Sequence, residues 1–320
     1  MTARTIIDAL LVLLLSAGMI SCAKKKPKTG AVLALLSLPA CAAVTGPAPV
    51  NNEFSGPAKV TINGYTGDAM EPFISRDGSG VLFFNSLNDG NDTSLYWATK
   101  VNETTFTNKG KLSAVNGTPP HLDAVASMDL SNNFYYTTTR EYFTTYRTIY
   151  TGTYAAGSVT GLRALDGDFY IRSPGWLIMD VEVSPDGQKI YYSSAHFSGG
   201  SVPDQSDLGV ANYSGGNFNR DPNGAAIMAA VNTCDCLEYA PSISSSGLEL
   251  FFSRIKFDAG LVEILVAKRS AATDPFGAPE RIGAITGFAE APSLTADGKT
   301  LYYHYKEDGG AFAIYKVSRP

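Results

Sequence analysis

The sequence predicts an all-β chain folded as a single β-propeller of four-stranded blades, and three observations predict it. One phrase recurs five times: a carboxylate, a short apolar strand, a tight turn and an aromatic pair. Its turn positions Asp77, Asn132, Asp186, Ser246 and Asp297 stand 55, 54, 60 and 51 residues apart, each step long enough for four short strands. The 320 residues include 17 Tyr, 16 Phe and 31 Gly, while helix formers show no sustained 3.6-residue period; that is the profile of strands joined by many turns. Finally, the fifth copy ends after its third strand, and residues 59–64, ahead of the first copy, align with the fourth-strand segment 281–287. An amino-terminal strand that completes the carboxy-terminal blade closes the ring and leaves only short, protected edges. Five blades follow, with six as the alternative if the 60-residue step hides a degenerate blade.

The amino terminus is a separate matter. Residues 1–41 read as an export signal: Lys24, Lys25, Lys26 and Lys28 form a charged region ahead of an apolar run over 31–40. Leu38-Pro39-Ala40-Cys41 resembles a bacterial lipobox, in which the Cys is diacylated and becomes the new amino terminus; cleavage after Ala42 is the competing outcome. A first apolar stretch, 6–20, precedes the lysines, and initiation at Met19 would leave one ordinary signal. Residues 42–54 are expected to form a flexible tether and 55–320 the propeller.

Within each copy the carboxylates Glu71, Asp123, Asp180, Glu238 and Glu290 open the innermost strand. The turns Asp77-Gly78, Asn132-Asn133, Asp186-Gly187, Ser246-Gly247 and Asp297-Gly298 are of types that tolerate the positive φ of a short hairpin. The second strand then carries Phe83-Phe84, Tyr135-Tyr136, Tyr191-Tyr192, Phe251-Phe252 or Tyr302-Tyr303, and alternation sends one ring of each pair to either face of its blade. Third strands are expected at 95–99, 148–151, 208–211, 263–267 and 313–317, and weaker fourth strands at 111–115, 162–165, 226–231 and 281–285.

Ser184-Pro185-Asp186-Gly187-Gln188-Lys189-Ile190-Tyr191-Tyr192-Ser193 resembles the motif of TolB-like, WD-repeat-related propellers of bacterial envelopes, and Ala291-Pro292 through Asp297-Gly298-Lys299 is similar to it. The second copy departs, with Ser131-Asn132-Asn133 at the motif's core. The resemblance covers most of the chain after residue 55. It implies a secreted or periplasmic propeller that serves as a protein-binding platform; the motif itself specifies turn and packing rather than a ligand.

A formal net charge of −5 supplies no basic field, which argues against nucleic acid as a partner. If the carboxylates Glu71, Asp123, Asp180, Glu238 and Glu290 ring one mouth of the channel, they would attract a cation, Ca²⁺ being suited to oxygen ligands. The alternative is that each ties one blade to the next. Cys234 and Cys236 read as a local disulfide, or with Glu238 as an incomplete metal site. His121, His196 and His304 stand without the partners of a nucleophilic triad, and no Gly-rich phosphate loop leads a strand into a helix. No cofactor and no metal site are therefore expected beyond the Ca²⁺ ring.

The loops between second and third strands carry Arg140, Tyr142, Tyr146, His196, Phe197, Arg254, Lys256, Tyr305 and Lys306, residue types that anchor protein interfaces. The expectation is a non-catalytic propeller on the envelope side, held to the outer membrane by a lipid on Cys41 and engaging a protein partner through that face. The alternative is a glycan-active enzyme that draws a carboxylate pair from Asp68, Glu71, Asp123, Asp180 and Glu182, or a sugar- or Ca²⁺-binding lectin.

Overall fold

The computed structural model describes residues 43–44, 48–87, 93–112, 114–199, 202–256 and 260–320. The export signal and Cys41 lie outside them. Three short strands come first: β1 (Val50–Asn51), β2 (Ser55–Lys59) and β3 (Thr61–Asn63). Blade 1 follows as β4 (Met70–Ile74), β5 (Val81–Asn85), β6 (Leu95–Asn102) and β7 (Thr105–Lys111). Blade 2 is β8 (Asp123–Met128), β9 (Asn133–Thr138), the one-turn helix α1 (Tyr142–Thr145), β10 (Ile149–Ala155) and β11 (Ser158–Ala164). Blade 3 is β12 (Trp176–Val183), β13 (Lys189–His196), β14 (Gln205–Ser214) and β15 (Asn217–Arg220), trailed by the one-turn helix α2 (Gly224–Ile227). Blade 4 is β16 (Leu237–Ile243), β17 (Glu249–Lys256), β18 (Leu261–Lys268) and β19 (Glu280–Ile282). Blade 5 is β20 (Ala289–Leu294), β21 (Thr300–Lys306) and β22 (Phe312–Ser318) with β2 as its fourth strand. The five-bladed propeller is thus as the repeat predicts. The long third step holds α2 and the cysteine loop rather than a sixth blade.

The aromatic pairs pack as alternation dictates. Phe83, Tyr135, Tyr191, Phe251 and Tyr302, the first of each pair, sit in the apolar layer shared with the following blade. Phe84, Tyr136, Tyr192, Phe252 and Tyr303, the second of each, fill the layer shared with the preceding one. Each two-aromatic phrase therefore glues its blade to both neighbours, with each ring adding on the order of 2–3 kcal/mol of burial.

Three expectations are corrected by the outer strands. Fourth strands run 105–111, 158–164 and 217–220, earlier than the sequence suggests, because each follows its third strand through a short hairpin; in blade 3 that hairpin is Gly215-Gly216, both at positive φ. The stretch 226–231, expected as a strand, instead begins within α2. The ring is closed by 55–59 rather than 59–64: β2 pairs antiparallel with β22, Ser55 opposite Ser318 and Lys59 opposite Tyr315. Pro57 is tolerated there because β2 is an edge strand with no need of that N–H. The chain then crosses at Val60 and lays β3 parallel to β7 of blade 1, Thr61 opposite Thr105.

The expected tether is also bonded to the propeller wherever it is described. β1 pairs parallel with β19 of blade 4. Asn51 donates from its amide to Glu280 at 2.9 Å, and Glu53 pairs with Lys268 and with Arg319. Phe54 is buried edge-on against Phe251, with ring centroids 5.8 Å apart and the Arg319 guanidinium over its other face. One strap, from Val50 to Asn63, thereby crosses the outer edges of blades 4, 5 and 1, and a buried phenylalanine is the reason it stays.

Candidate functional site

The innermost strands surround a narrow central cavity. Each blade contributes the same stretch to its wall: Glu71–Phe73, Val125–Ala126, Asp180–Glu182, Ala240–Pro241 and Ala291–Ser293. Every innermost strand carries a register shift at this height. In four of them the shift holds a non-glycine residue in the left-handed region, Glu71 (φ 49°), Val125 (φ 52°), Ala240 (φ 49°) and Ala291 (φ 54°). Such bulges re-aim the backbone, here toward the neighbouring blade.

What the bulge meets is the residue after each aromatic pair. Val125 N–H donates to Asn85 Oδ1, Ala291 N–H to Ser253 Oγ at 2.9 Å, and Glu71 N–H to His304 Nδ1 at 3.1 Å. Between blades 2 and 3 the polarity reverses, Thr137 Oγ1 donating to the Met179 carbonyl at 2.7 Å. Between blades 3 and 4 the Ala240 N–H goes to Asp180 Oδ2 at 3.0 Å, while Ser193 pairs with Ser206. Four of the five junctions are therefore latched by one sequence position, and between blades 3 and 4 Asp180 takes its place. His304 is the latch of the junction that closes the ring: accepting at Nδ1, it donates from Nε2 to Glu290 Oε2 at 3.0 Å.

A second ring lies below. Phe73, Ser127, Glu182, Ser242 and Ser293 each sit opposite the first aromatic of their blade. The three serines accept the next blade's N–H, from Val183, Leu294 and Ile74 respectively. Glu182 does the same for Ile243 and takes the hydroxyls of Ser127 and Ser242 as well. Arg76 reaches it from blade 1, two blades away, bonding to Glu182 and, at 2.9 Å, to the Val183 carbonyl. A bond between non-adjacent blades has to cross the axis, so this buried pair closes the lower end of the channel. Burial pushes the Arg76 guanidinium down to about 10, still charged at neutral pH.

The five aligned carboxylates do not converge. Only Glu71 and Asp180 line the cavity. Asp123 and Glu238 lie two residues further upstream and turn back into their own blades. There Asp123 meets Arg140 and the Gly117 N–H, and Glu238 meets Arg254 at 2.9 Å and Thr233. Glu290, one residue off, accepts from the Tyr239 hydroxyl and from His304. Burial pushes the Glu238 carboxyl up to about 7, outweighing the attraction of Arg254. Burial likewise raises Asp180, against the lowering pull of Ala240 N–H and Ser193 and with Glu290 adding to the rise. Among the described residues no three His, Cys, Asp or Glu side chains are grouped to hold a metal ion.

The face on which innermost strands begin also carries the loops proposed for a partner. There the structure separates exposed side chains from buried ones. Tyr142 is 1% exposed, its hydroxyl accepting the Gly175 N–H; Phe197 is 2% exposed and Arg254 6%, committed to Glu238 and the Val231 carbonyl. These three are framework, not contact surface. Arg140 is spent on Asp123 and Val115, between the rings of Tyr136 and Tyr150. Lys256 is held by the Val44 carbonyl at 3.0 Å. Tyr146, His196, Tyr305 and Lys306 remain partly exposed. His196 pairs with Asp204 at 2.7 Å and stacks on Trp176, which is partly buried. Beside them Phe143, on α1, is 51% exposed, a residue the sequence did not single out.

The cysteine loop corrects another expectation. Cys236 is a free, buried thiol and Cys234 is disulfide-bonded, so the two are not joined to each other. Two residues apart, with Cys236 turned into the blade, the pair lacks the spacing an unstrained bridge requires.

No family model matches the chain and no curated protein does. Solved structures do. It is similar to Zg3597, a family 117 glycoside hydrolase produced by the marine bacterium Zobellia galactanivorans, with TM-score 0.51 and 11% identity over 84% of this chain and 91% of that one. The endo-arabinase of Bacteroides thetaiotaomicron gives TM-score 0.50 and 12% identity over 82% and 98%. The TolB of Acinetobacter baumannii gives TM-score 0.44 and 13% identity over 78% of this chain, which spans only 54% of that protein's length. At these identities the likeness is one of fold: this chain is a five-bladed β-propeller.

Proposed function

We propose that the protein is a non-catalytic binding propeller of the cell envelope that engages a protein partner through the loops of blades 2 and 3. The observation that carries this reading is the state of the aligned carboxylates. Asp123, Asp180, Glu238 and Glu290 are all at most 4% exposed and hydrogen-bonded within the protein, each explained by a blade or a blade junction. A glycosidase needs two carboxyl groups that a sugar can reach from opposite sides of one bond. The exposed Phe143 and the partly buried Tyr146 and Trp176 on a rigid scaffold suit protein recognition instead. Export rests on the order of lysines and apolar run in residues 24–40. A lipid on Cys41 would add an outer-membrane tether, and it requires that sulfur to carry no other bond.

One observation favours a second reading. Glu71 and Asp180 share the cavity, and Asp180 is a carboxyl whose proton is held by burial, a property of a general acid. Coupled with the glycoside hydrolases among the fold's neighbours, this supports an enzyme acting on arabinose-containing or related glycans. The two readings part in one experiment. The exported protein and its Phe143→Ala/Trp176→Ala variant are compared for capture of envelope proteins, and both are assayed on arabinan and pectic oligosaccharides. Capture lost in the variant, with no hydrolysis, supports the platform. Hydrolysis that persists in that variant and disappears in Asp180→Asn overturns it.

A further inference from the structure

Three blades have their outermost strand covered by a further piece of chain, and the cover always runs parallel. β3 lies along β7 of blade 1, Ile62 opposite Phe106, and β1 lies along β19 of blade 4, Asn51 opposite Ile282. In blade 3 a parallel bridge joins Gly167 to Phe218 of β15. Blade 5 ends on β2, where Gly56-Pro57 and an irregular register blunt the edge. Blade 2 ends on β11, and among the described residues no strand pairs with its outer side. The bare stretch is built as the covered ones are. Thr105-Phe106-Thr107, Ser158-Val159-Thr160 and Asn217-Phe218-Asn219 each follow a tight hairpin and set one buried apolar side chain between two polar residues. β7 and β11 carry an extra residue of their own only beyond these three, at 108–110 and 160–163, so the bulge that twists an edge away spares the stretch.

We propose that Ser158-Val159-Thr160 is a docking edge for an extended segment of a partner protein, which adds a parallel fifth strand to blade 2. Alternation of the ladder fixes what this edge offers. Leu165 N–H donates to the Ile149 carbonyl at 2.8 Å, so Arg163 also faces β10 while Leu162 and Ala164 face away. Ser158 closes the hairpin with Ala155, so Val159 faces away as well. Val159 is thus the counterpart of Phe106, beside which the Thr61 N–H reaches the Thr104 carbonyl at 2.8 Å. The side-chain seat corresponds too. Val159 lies in the apolar layer of Phe83 and Phe134, whose rim is made by the partly buried Trp97 and Leu162. At the matching rim of blade 1, Ile62 of the covering strand is buried with Phe106. The occupant is therefore a strand with one apolar residue between short polar ones, as in Thr61-Ile62-Asn63; main-chain bonds supply affinity and the seat supplies selection. A second copy offering the same edge about a two-fold axis would run antiparallel, unlike all three covers. The edge lies on the rim of blade 2, apart from the loops of the binding face, so the inference does not depend on that reading.

The test follows amide hydrogen exchange in the full chain with and without a synthetic peptide of the strap's own sequence, Lys-Val-Thr-Ile-Asn-Gly. The peptide is expected to slow the Val159 and Leu162 amides several-fold and to leave the covered strands β7 and β15 unchanged. A peptide with Asp in place of Ile should have no effect. Val159→Pro removes an N–H that the fold does not use, and it should weaken peptide binding by roughly tenfold or more. No slowing at millimolar peptide overturns the proposal, as does slowing at β7 or β15 in place of β11, or a Val159→Pro protein that binds as the parent does. Amides of Val159 and Leu162 that are already slow in the free protein would assign the edge to another part of this chain. Slowing that grows with protein concentration alone would assign it to a second copy; either result overturns the partner strand. If Val159→Pro does not fold, the exchange map of the parent protein decides.

Discussion

His304 joins three blades through two ring nitrogens: it accepts the Glu71 N–H of blade 1, stands in blade 5, and donates to Glu290, which also takes the Tyr239 hydroxyl of blade 4. His304→Ala strands a buried N–H and half-strips a buried carboxylate, and it should cost about 2–4 kcal/mol in urea denaturation. His304→Asn should cost about half of that, because Asn85 shows that an asparagine at this position still accepts the bulge N–H. The Arg76–Glu182 pair offers a second residue-level test. Arg76→Ala leaves Glu182 buried without its cation and should cost about 3–5 kcal/mol. Adding Glu182→Ser should recover part of it, since Ser127, Ser242 and Ser293 do the same backbone work without a charge. A double variant less stable than the single would show that the pair contributes more than it costs to bury. Both networks were half-legible in the sequence. The position after the aromatic pair reads as a recurring polar residue, Asn85, Thr137, Ser193 and Ser253, with one histidine, His304. The carboxylates were aligned as equivalents, although a bulge of one or two residues had moved Asp123, Glu238 and Glu290 off the axis. An aligned phrase does not show where a strand slips, and that slip decides whether a carboxylate faces the channel or its own blade.

At the level of elements, first, second and third strands were readable because aromatic and β-branched residues alternate strongly in them. Fourth strands and the strap were not, since they are short, polar and edge-bound, with pairing partners rather than pattern setting their limits. β2 reads Ser-Gly-Pro-Ala-Lys, which by composition is a loop; it is a strand because β22 offers an unpaired edge. The strap's anchor can be tested separately from its pairing. Phe54→Ala should lower stability by about 3–4 kcal/mol. It should also raise the hydrogen-exchange rate of the β22 amides that β2 covers, above that of β6 in blade 1. Equal exchange in the two strands would mean that the strap holds by its ladder alone.

Across the whole molecule, titration has two opposing directions. Glu238, pushed up to about 7, and Asp180, raised in the same direction, hold protons in the folded state that the unfolded chain releases near its ordinary value of 4.5 or 3.8. Their contribution is complete below the unfolded values and is lost as pH rises through the folded ones. Asp297, held down by the Thr295 hydroxyl and the Lys299 N–H, and Glu307, held down by Lys59 and Tyr315, act oppositely and lose their contribution as pH falls below the ordinary range. Thermal stability should therefore peak at about pH 4.5 and decline as pH rises toward about 7. Asp180→Asn, which keeps an acceptor for the Ala240 N–H, should flatten that decline; an unchanged slope would assign it to Glu238 alone.

The strap that β2 and Phe54 form has a consequence in time. The last blade made cannot be completed except by one of the first strands made, roughly 260 positions earlier in synthesis. A chain leaving the ribosome or a translocation pore can assemble blades 1 to 4 in sequence, but each is an open arc with a free edge until Ser318 emerges. Maturation therefore waits on a single long-range encounter, and through that interval the nascent protein is at the mercy of whatever holdase guards its unfinished rim.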